Sequence, residues 1–235
     1  MKTHKHFYDI PQPVDLPDKY HVFNKSNILN TLYWFDIAKV IEKVDGVIVE
    51  CGVGRARSLI NLIVTFNLYS NFKGFSKRKI FAFDSFEGFC EPSVHDISIR
   101  NPQKGQWARS PKNEFEYNEE NIIKVIKSAG LIEEVKDVSF IKGFFQETTK
   151  QFDDKIALLH LDGDLYESII SPLNNLSKHV VSGGVILFDD FILEDPEQNN
   201  ERWPGARKAF YEFISKNNSY EIKTTVRGNP YLIKA

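Results

Sequence analysis

The sequence predicts an α/β fold of the Rossmann-like, doubly wound kind, a mostly parallel sheet with a closing antiparallel strand. Three observations lead there. Strand-like apolar runs alternate with helical periodicity five times along the chain. Two of those runs, at 157–161 and 183–188, are short, predominantly apolar and end abruptly in carboxylates, as buried parallel strands do when they deliver acids to the C-terminal edge of a sheet. The chain then finishes in two short runs joined by Gly228-Asn229-Pro230, which reads as a hairpin adding an antiparallel strand at one edge.

Each element has its own signal. Pro11, Pro13 and Pro17 make residues 1–27 an extended arm. Ile28, Leu32, Phe35, Ala38 and Ile41 recur at helical spacing and predict a helix over 28–44, ended by Asp45-Gly46. Residues 47–50 are the first strand; a glycine turn, Cys51-Gly52-Val53-Gly54, leads into a helix over 55–69. The second strand, 79–83, ends at Asp84. Residues 85–118 are rich in Pro, Asn and aromatics, a lid-like insertion within a single domain over 28–235. A helix over 119–129 closes at Gly130, and the third strand, 138–142, ends at Gly143. Between the two carboxylate strands a helix runs over 165–179, with Asp164 and Glu167 spaced as a capping box. A helix over 206–215 and strands over 220–226 and 231–234 complete the chain.

Composition narrows the function. The chain has 235 residues, 42% hydrophobic and 26% charged, with a net charge of -2. That balance suits an ordinary globular protein and gives no support to nucleic-acid binding, which needs a concentrated positive field. The first ten residues lack the apolar core of a signal peptide, and no run is long enough to span a bilayer. Two cysteines, Cys51 at a strand end and Cys90 in the long loop, do not make a disulfide framework, so a reducing, cytoplasmic location is expected. The proline-rich arm suits a homodimer or higher homo-oligomer.

Ligands of doubly wound sheets bind outside the carboxyl ends of the strands, where strand order reverses. Asp162 closes one carboxylate strand and Asp189 and Asp190 close the other, and neighbouring strands lie about 4.8 Å apart. Three acids at two buried strand ends would repel one another unless a cation joined them. An all-oxygen set suits Mg²⁺ or Mn²⁺ better than zinc. Glu50-x-Gly52-x-Gly54 closes the first strand and opens a helix, turning backbone N–H groups toward the site. Arg57 stands where the third glycine of the dinucleotide pattern would be, which counts against NAD. An acid ending the first strand suits a ligand with a cationic ammonium group, such as the methionine portion of S-adenosylmethionine. Asp84 is suited to a ribose diol.

With these residues in view, the chain resembles the macrocin O-methyltransferase family. The resemblance rests on Glu50-Cys-Gly-Val-Gly-Arg-Ala-Arg-Ser58, Phe83-Asp-Ser-Phe-Glu-Gly-Phe89, Leu161-Asp-Gly-Asp-Leu-Tyr-Glu-Ser168 and Phe188-Asp-Asp190, with Gly205-Ala-Arg-Lys-Ala-Phe210 behind them. It implies a class I methyltransferase fold that uses S-adenosylmethionine and Mg²⁺ to methylate a hydroxyl of a sugar, a sugar-containing natural product or a polysaccharide precursor. It also implies that Glu50, Gly52, Arg55 and Ser58 hold the methionine end of the cofactor, Asp84 and Ser85 the ribose, and that Gly143 and Phe144 lie near adenine. The metal falls to Asp162, Asp189 and Asp190. Catechol methyltransferases share that metal geometry but carry a lysine base three residues after the first aspartate, where this chain has Leu165.

On that reading the ion lowers the pKa of the acceptor hydroxyl and holds it in line with the sulfonium methyl. Asp162 is then the catalytic carboxylate, and His95 in the lid is the side-chain base if one is used. His160, inside its strand, is a core residue or a support for Asp162. Trp107, Phe115 and Tyr117 either stack on a sugar face or anchor the long loop. Two other classes stay open: an NAD(P)-dependent oxidoreductase on a similar sheet, and a non-catalytic nucleotide-binding module.

Overall fold

The computed structural model describes residues 25–68, 77–110, 115–194 and 202–235. The arm expected at 1–27 lies outside them apart from 25–27, which already belong to the first helix. In chain order the elements are α1 (Lys25–Val40), β1 (Val47–Cys51), α2 (Arg57–Ile63), β2 (Ile80–Asp84), α3 (Glu119–Ser128), β3 (Val138–Lys142), α4 (Phe145–Thr148), β4 (Ile156–Leu161), α5 (Tyr166–Leu176), β5 (Val180–Phe188), α6 (Pro204–Lys216), β6 (Tyr220–Thr224) and β7 (Pro230–Lys234). None of the described helices is long and apolar enough to cross a membrane.

The strands form one sheet in the order β3-β2-β1-β4-β5-β7-β6. The first five are parallel, and β7 inserts antiparallel between β5 and β6. The expected antiparallel closing strand is therefore the last in sequence but not the outermost in space. Strand order reverses between β1 and β4, so a cleft is expected at their C-terminal ends.

Side-chain parity explains why these strands read as apolar almost throughout. Successive residues of a strand face opposite layers. Ile48 and Leu158 join a buried cluster with Tyr33, Trp34 and Ile37 of α1 and Leu59 of α2. Val49, Cys51, Leu159 and Leu161 join the opposite cluster, with Leu165, Ile169 and Leu173 on one side and Phe210 of α6. Burying one such side chain stabilises by about 1.5–3 kcal/mol, and β1 and β4 bury them on both faces.

Element ends differ from the expectation for local reasons. The helix expected over 28–44 starts at Lys25 and stops at Val40, and Ile41 stays buried in the turn that follows. Gly46 (φ 127) has to be glycine, because a Cβ there would press on the main chain of Lys155 and Ala157 beside it. The helix after the glycine turn widens into a π turn at Val64–Leu68, and its expected last residue, Tyr69, lies outside the described residues. The helix expected over 165–179 ends at Leu176 in a 3-10 turn, and β5 begins three residues early at Val180. A register shift between Ile156 and Leu158 absorbs the extra residues.

Candidate active site

The C-terminal ends of β1, β2 and β4 open into one cleft. Gly52, Val53, Gly54, Arg55, Asp84 and Ser85 line one side, and Asp162, Gly163, Asp164 and Ser168 the other. Phe89, Trp107, Phe144, Phe145 and Trp203 supply an aromatic lining.

The glycine turn is held by the acid at the end of the next strand. Asp84 Oδ2 accepts the N–H groups of Val53 at 2.8 Å and Gly54 at 3.0 Å, and Oδ1 accepts that of Phe86 at 2.7 Å. A carboxylate offers about four acceptor sites, so roughly one remains for a ligand hydroxyl. Ser85 turns its hydroxyl to the carbonyl of Gly88 at 2.8 Å, shaping the first bend of the long loop. Gly52 (φ 104) packs so closely on the main chain of Asp162 that no side chain would fit between them. The Arg55 guanidinium lies 5.4 Å from the centroid of the Trp107 ring.

The expected cofactor residues divide into two groups. Gly52, Arg55, Asp84, Ser85 and Phe144 line the cleft; Glu50, Ser58 and Gly143 do not. Glu50 shares the parity of Ile48 and turns under α1. There its Oε1 is 3.2 Å from His160 Nδ1, and both side chains are fully buried. Trp34 of α1 packs edge-on against His160 at 4.8 Å. Gly143 stands one residue behind Phe144 and donates its N–H to the Asp84 carbonyl at 2.9 Å.

The acids at the tips of β4 and β5 form a crowded group. Burial, then the charges of Asp189 and Asp190, raises the Asp162 carboxyl well above the ordinary carboxylate range. Burial, then Asp162, does the same to Asp164, and burial, then Asp164 and Asp189, to Asp190. Asp189 Oδ1 receives the Tyr33 hydroxyl and Arg227 Nη1, each at 3.1 Å. Asp190 Oδ2 accepts the N–H of Asp164 at 2.9 Å, while its Oδ1 is buried with no partner among the described residues. As the side chains stand, no three His, Cys, Asp or Glu among the described residues gather closely enough to hold a metal ion.

One expectation is corrected here. Asp164 does not cap α5. Its φ is 63 and it lines the cleft, while the first N–H of α5, on Tyr166, goes to Asp96 Oδ1 at 2.8 Å. Glu167 does not close a box either; its carboxylate meets Ser171 at 3.4 Å. A buried acid from the long loop has displaced the local partner. The aromatic trio also separates. Trp107 lines the cleft, whereas Tyr117 is buried outside it, beside Phe115 at a ring distance of 6.1 Å. His95 is exposed, stacked on Tyr166 at 4.6 Å, and is not part of the cleft wall.

Tyr33, Asp96, Arg202, Trp203 and Arg227 went unnoticed in the sequence. Only Arg227 carried a local signal: it precedes the Gly228-Asn229 turn, and Asn229 Nδ2 reaches the carbonyls of Asp189 at 2.7 Å and Phe191 at 3.0 Å. Both cysteines are free, Cys51 buried and Cys90 half-buried at the cleft wall.

The chain matches the profile of the macrocin-O-methyltransferase (TylF) family over residues 16–214. It is 26% identical over 190 residues, 77% of this chain and 66% of the relative, to the 8-demethyl-8-(2,3-dimethoxy-alpha-L-rhamnosyl)-tetracenomycin-C 4'-O-methyltransferase of Streptomyces olivaceus. To the demethyldecarbamoylnovobiocin O-methyltransferase of Streptomyces niveus it is 29% identical over 154 residues, 65% of this chain and 55% of the relative. It thus spans less than two thirds of the length of either relative. In fold it is similar to the calicheamicin methyltransferase CalS11, with a TM-score of 0.72 and 20% identity over 97% of this chain and 88% of that one.

Proposed function

Because the chain belongs to the macrocin-O-methyltransferase family, we propose that it transfers the methyl group of S-adenosylmethionine to a hydroxyl of a sugar, a sugar-bearing natural product or a polysaccharide precursor. One observation carries this reading. The glycine turn with Asp84 and the acidic lip Asp162-Gly163-Asp164 face each other across a single cleft. A cofactor on one wall and an acceptor on the other would meet there.

Gly52 and Arg55 serve the methionine end of the cofactor, with Ser58 and Glu50 supporting the turn from beneath. Asp84 offers its remaining acceptor site to the ribose and Ser85 borders it. Phe144 offers a face to adenine, with Gly143 giving the backbone room behind it. The aromatic lining keeps water from the sulfonium and holds the acceptor in line with the methyl group, which is where most of the rate gain of such a transfer lies.

A divalent ion fits the acids chemically. They are hard oxygen donors held together against their own repulsion, and the buried Asp190 Oδ1 lacks a partner. Asp162, Asp189 and Asp190 would hold it. Bound there, Mg²⁺ or Mn²⁺ would act as a Lewis acid toward the acceptor oxygen. Asp164 lines the cleft beside Asp162 and is placed to orient the acceptor hydroxyl by a hydrogen bond. His95 is not among the residues lining the cleft, so it is not placed to act as the base.

Calorimetry with S-adenosylhomocysteine, NAD and NADP, followed by methyl transfer to a panel of glycosides and nucleotide sugars with and without Mg²⁺, tests the proposal. Binding of S-adenosylhomocysteine and transfer to one acceptor class are expected. Heat with NAD or NADP, and none with S-adenosylhomocysteine at high micromolar concentration, would overturn it in favour of an oxidoreductase.

A further inference from the structure

Asp96 sits in a 3-10 turn of the long loop, Val94–Asp96, and is only 3% exposed. Its carboxylate works in two directions. Oδ2 accepts the N–H and the O–H of Ser93, each at 2.7 Å, and Oδ1 accepts the N–H of Tyr166, 70 positions further along the chain, at 2.8 Å. Tyr166 opens α5, which has no side-chain cap from its own N-cap residue. Just before it, Asp164 has φ 63, and the N–H of Leu165 donates back to the Gly163 carbonyl at 2.7 Å. That is the pattern of a γ-turn with positive φ at its centre, a rare and strained conformation for a residue with a Cβ.

Strain of this kind persists only where the surroundings hold it. Asp190 holds the turn from one side, through the N–H of Asp164. Asp96 holds it from the other, through Tyr166. Gly205 completes the arrangement: a methyl on its Cα would overlap Asp96 Oδ1 and crowd the nitrogen of Tyr166. The start of α6 therefore carries no side chain where the acid passes.

We propose that Asp96 is a positioning residue: by fixing the amide of Tyr166 it maintains the strained turn that places Asp164 at the cleft. The inference rests on the proposed methyl transfer and on Asp164 meeting the acceptor in the cleft, and it requires the loop to be anchored at Asp96.

Two measurements test it separately from that reading: amide hydrogen exchange at Leu165 and Tyr166, and steady-state methyl transfer. In Asp96→Ala, exchange at both amides should quicken about tenfold or more, and kcat should fall on the order of 100-fold, the scale of a misplaced reacting group. The KM for S-adenosylmethionine should change by less than about threefold, because the cofactor wall is untouched. Asp96→Asn keeps an oxygen for Tyr166 and should retain the protection, losing no more than about tenfold in kcat. Gly205→Ala should behave like Asp96→Ala, and the double variant should be little worse than either alone. Unchanged exchange in Asp96→Ala, unchanged kcat despite faster exchange, or equal losses of cofactor affinity and turnover in both Asp96 variants would each overturn the proposal. Full turnover by Asp164→Ala would instead remove Asp164 from the acceptor site, and the exchange data would still decide whether Asp96 holds the turn.

Discussion

Arg227 Nη1 stands 3.1 Å from Asp189 Oδ1, and the same guanidinium lies over the Tyr33 ring, 4.9 Å from its centroid. Tyr33 donates its hydroxyl to that same oxygen. The turn between β6 and β7 and the helix α1 therefore meet on one carboxylate oxygen at the tip of β5. Removing the guanidinium leaves a buried charge with one donor fewer. Arg227→Met should lower stability by about 2 kcal/mol, below the cost of breaking a fully buried pair because Arg227 is partly exposed. Lys216→Met, which breaks an exposed i,i+4 pair with Glu212, should leave stability nearly unchanged. Urea unfolding of both variants in chelator reads the difference, and equal losses would show that Arg227 does not stabilise Asp189.

The raised carboxyls of Asp162, Asp164 and Asp190 set a pH trend. In the folded chain such an acid keeps its proton at a pH where the unfolded chain, with a carboxyl pKa near about 4, has released it. This contribution to stability is lost as pH rises through the folded pKa and is regained as pH falls. In chelator, the melting temperature should rise as pH is lowered from about 8 to about 5. Asp190→Asn should flatten that rise and melt higher than wild type at the alkaline end. A variant whose pH profile parallels wild type would contradict the assignment.

Asp84→Ala removes the acceptor of three backbone N–H groups in and beside the glycine turn. S-Adenosylhomocysteine should bind more weakly by roughly 1.5–3 kcal/mol, the range for hydrogen bonds to a charged acceptor. Calorimetry in EDTA measures this, and an affinity equal to wild type would exclude Asp84 from the cofactor site.

Asp189→Asn keeps the shape of the β5 tip and removes one unit of negative charge. Most turnover should be lost while S-adenosylhomocysteine affinity stays within about threefold, with partial rescue at high Mg²⁺ or Mn²⁺. Wild type that remains fully active after exhaustive chelation would remove the ion from the mechanism.

The sheet and its acid-bearing tips were legible because they are written locally. A buried parallel strand is an apolar run, and Asp84, Asp162 and Asp189 stand where such runs stop. Glu50 was expected at the cofactor, but two positions after Ile48 it shares that residue's face, under α1 and beside His160. What could not be read are partners brought together by tertiary folding. Tyr33 meets Asp189 across 156 positions and Asp96 meets Tyr166 across 70, and nothing near either residue announces it. The capping box at Asp164 misled for the same reason, since a distant acid took the helix end that a local rule assigned to a neighbour.

Gly52 rests directly on the main chain of Asp162, so the two walls of the cleft share one backbone contact. A ligand that shifts the glycine turn shifts the origin of the acidic lip, and a cation that pulls on Asp162 acts on the turn. Thermodynamic reciprocity then applies: whatever factor a divalent ion adds to cofactor affinity, the cofactor must add to ion affinity. Order of addition would leave the ternary complex unchanged, and the size of that shared factor would measure how stiffly β1 and β4 are joined at their ends.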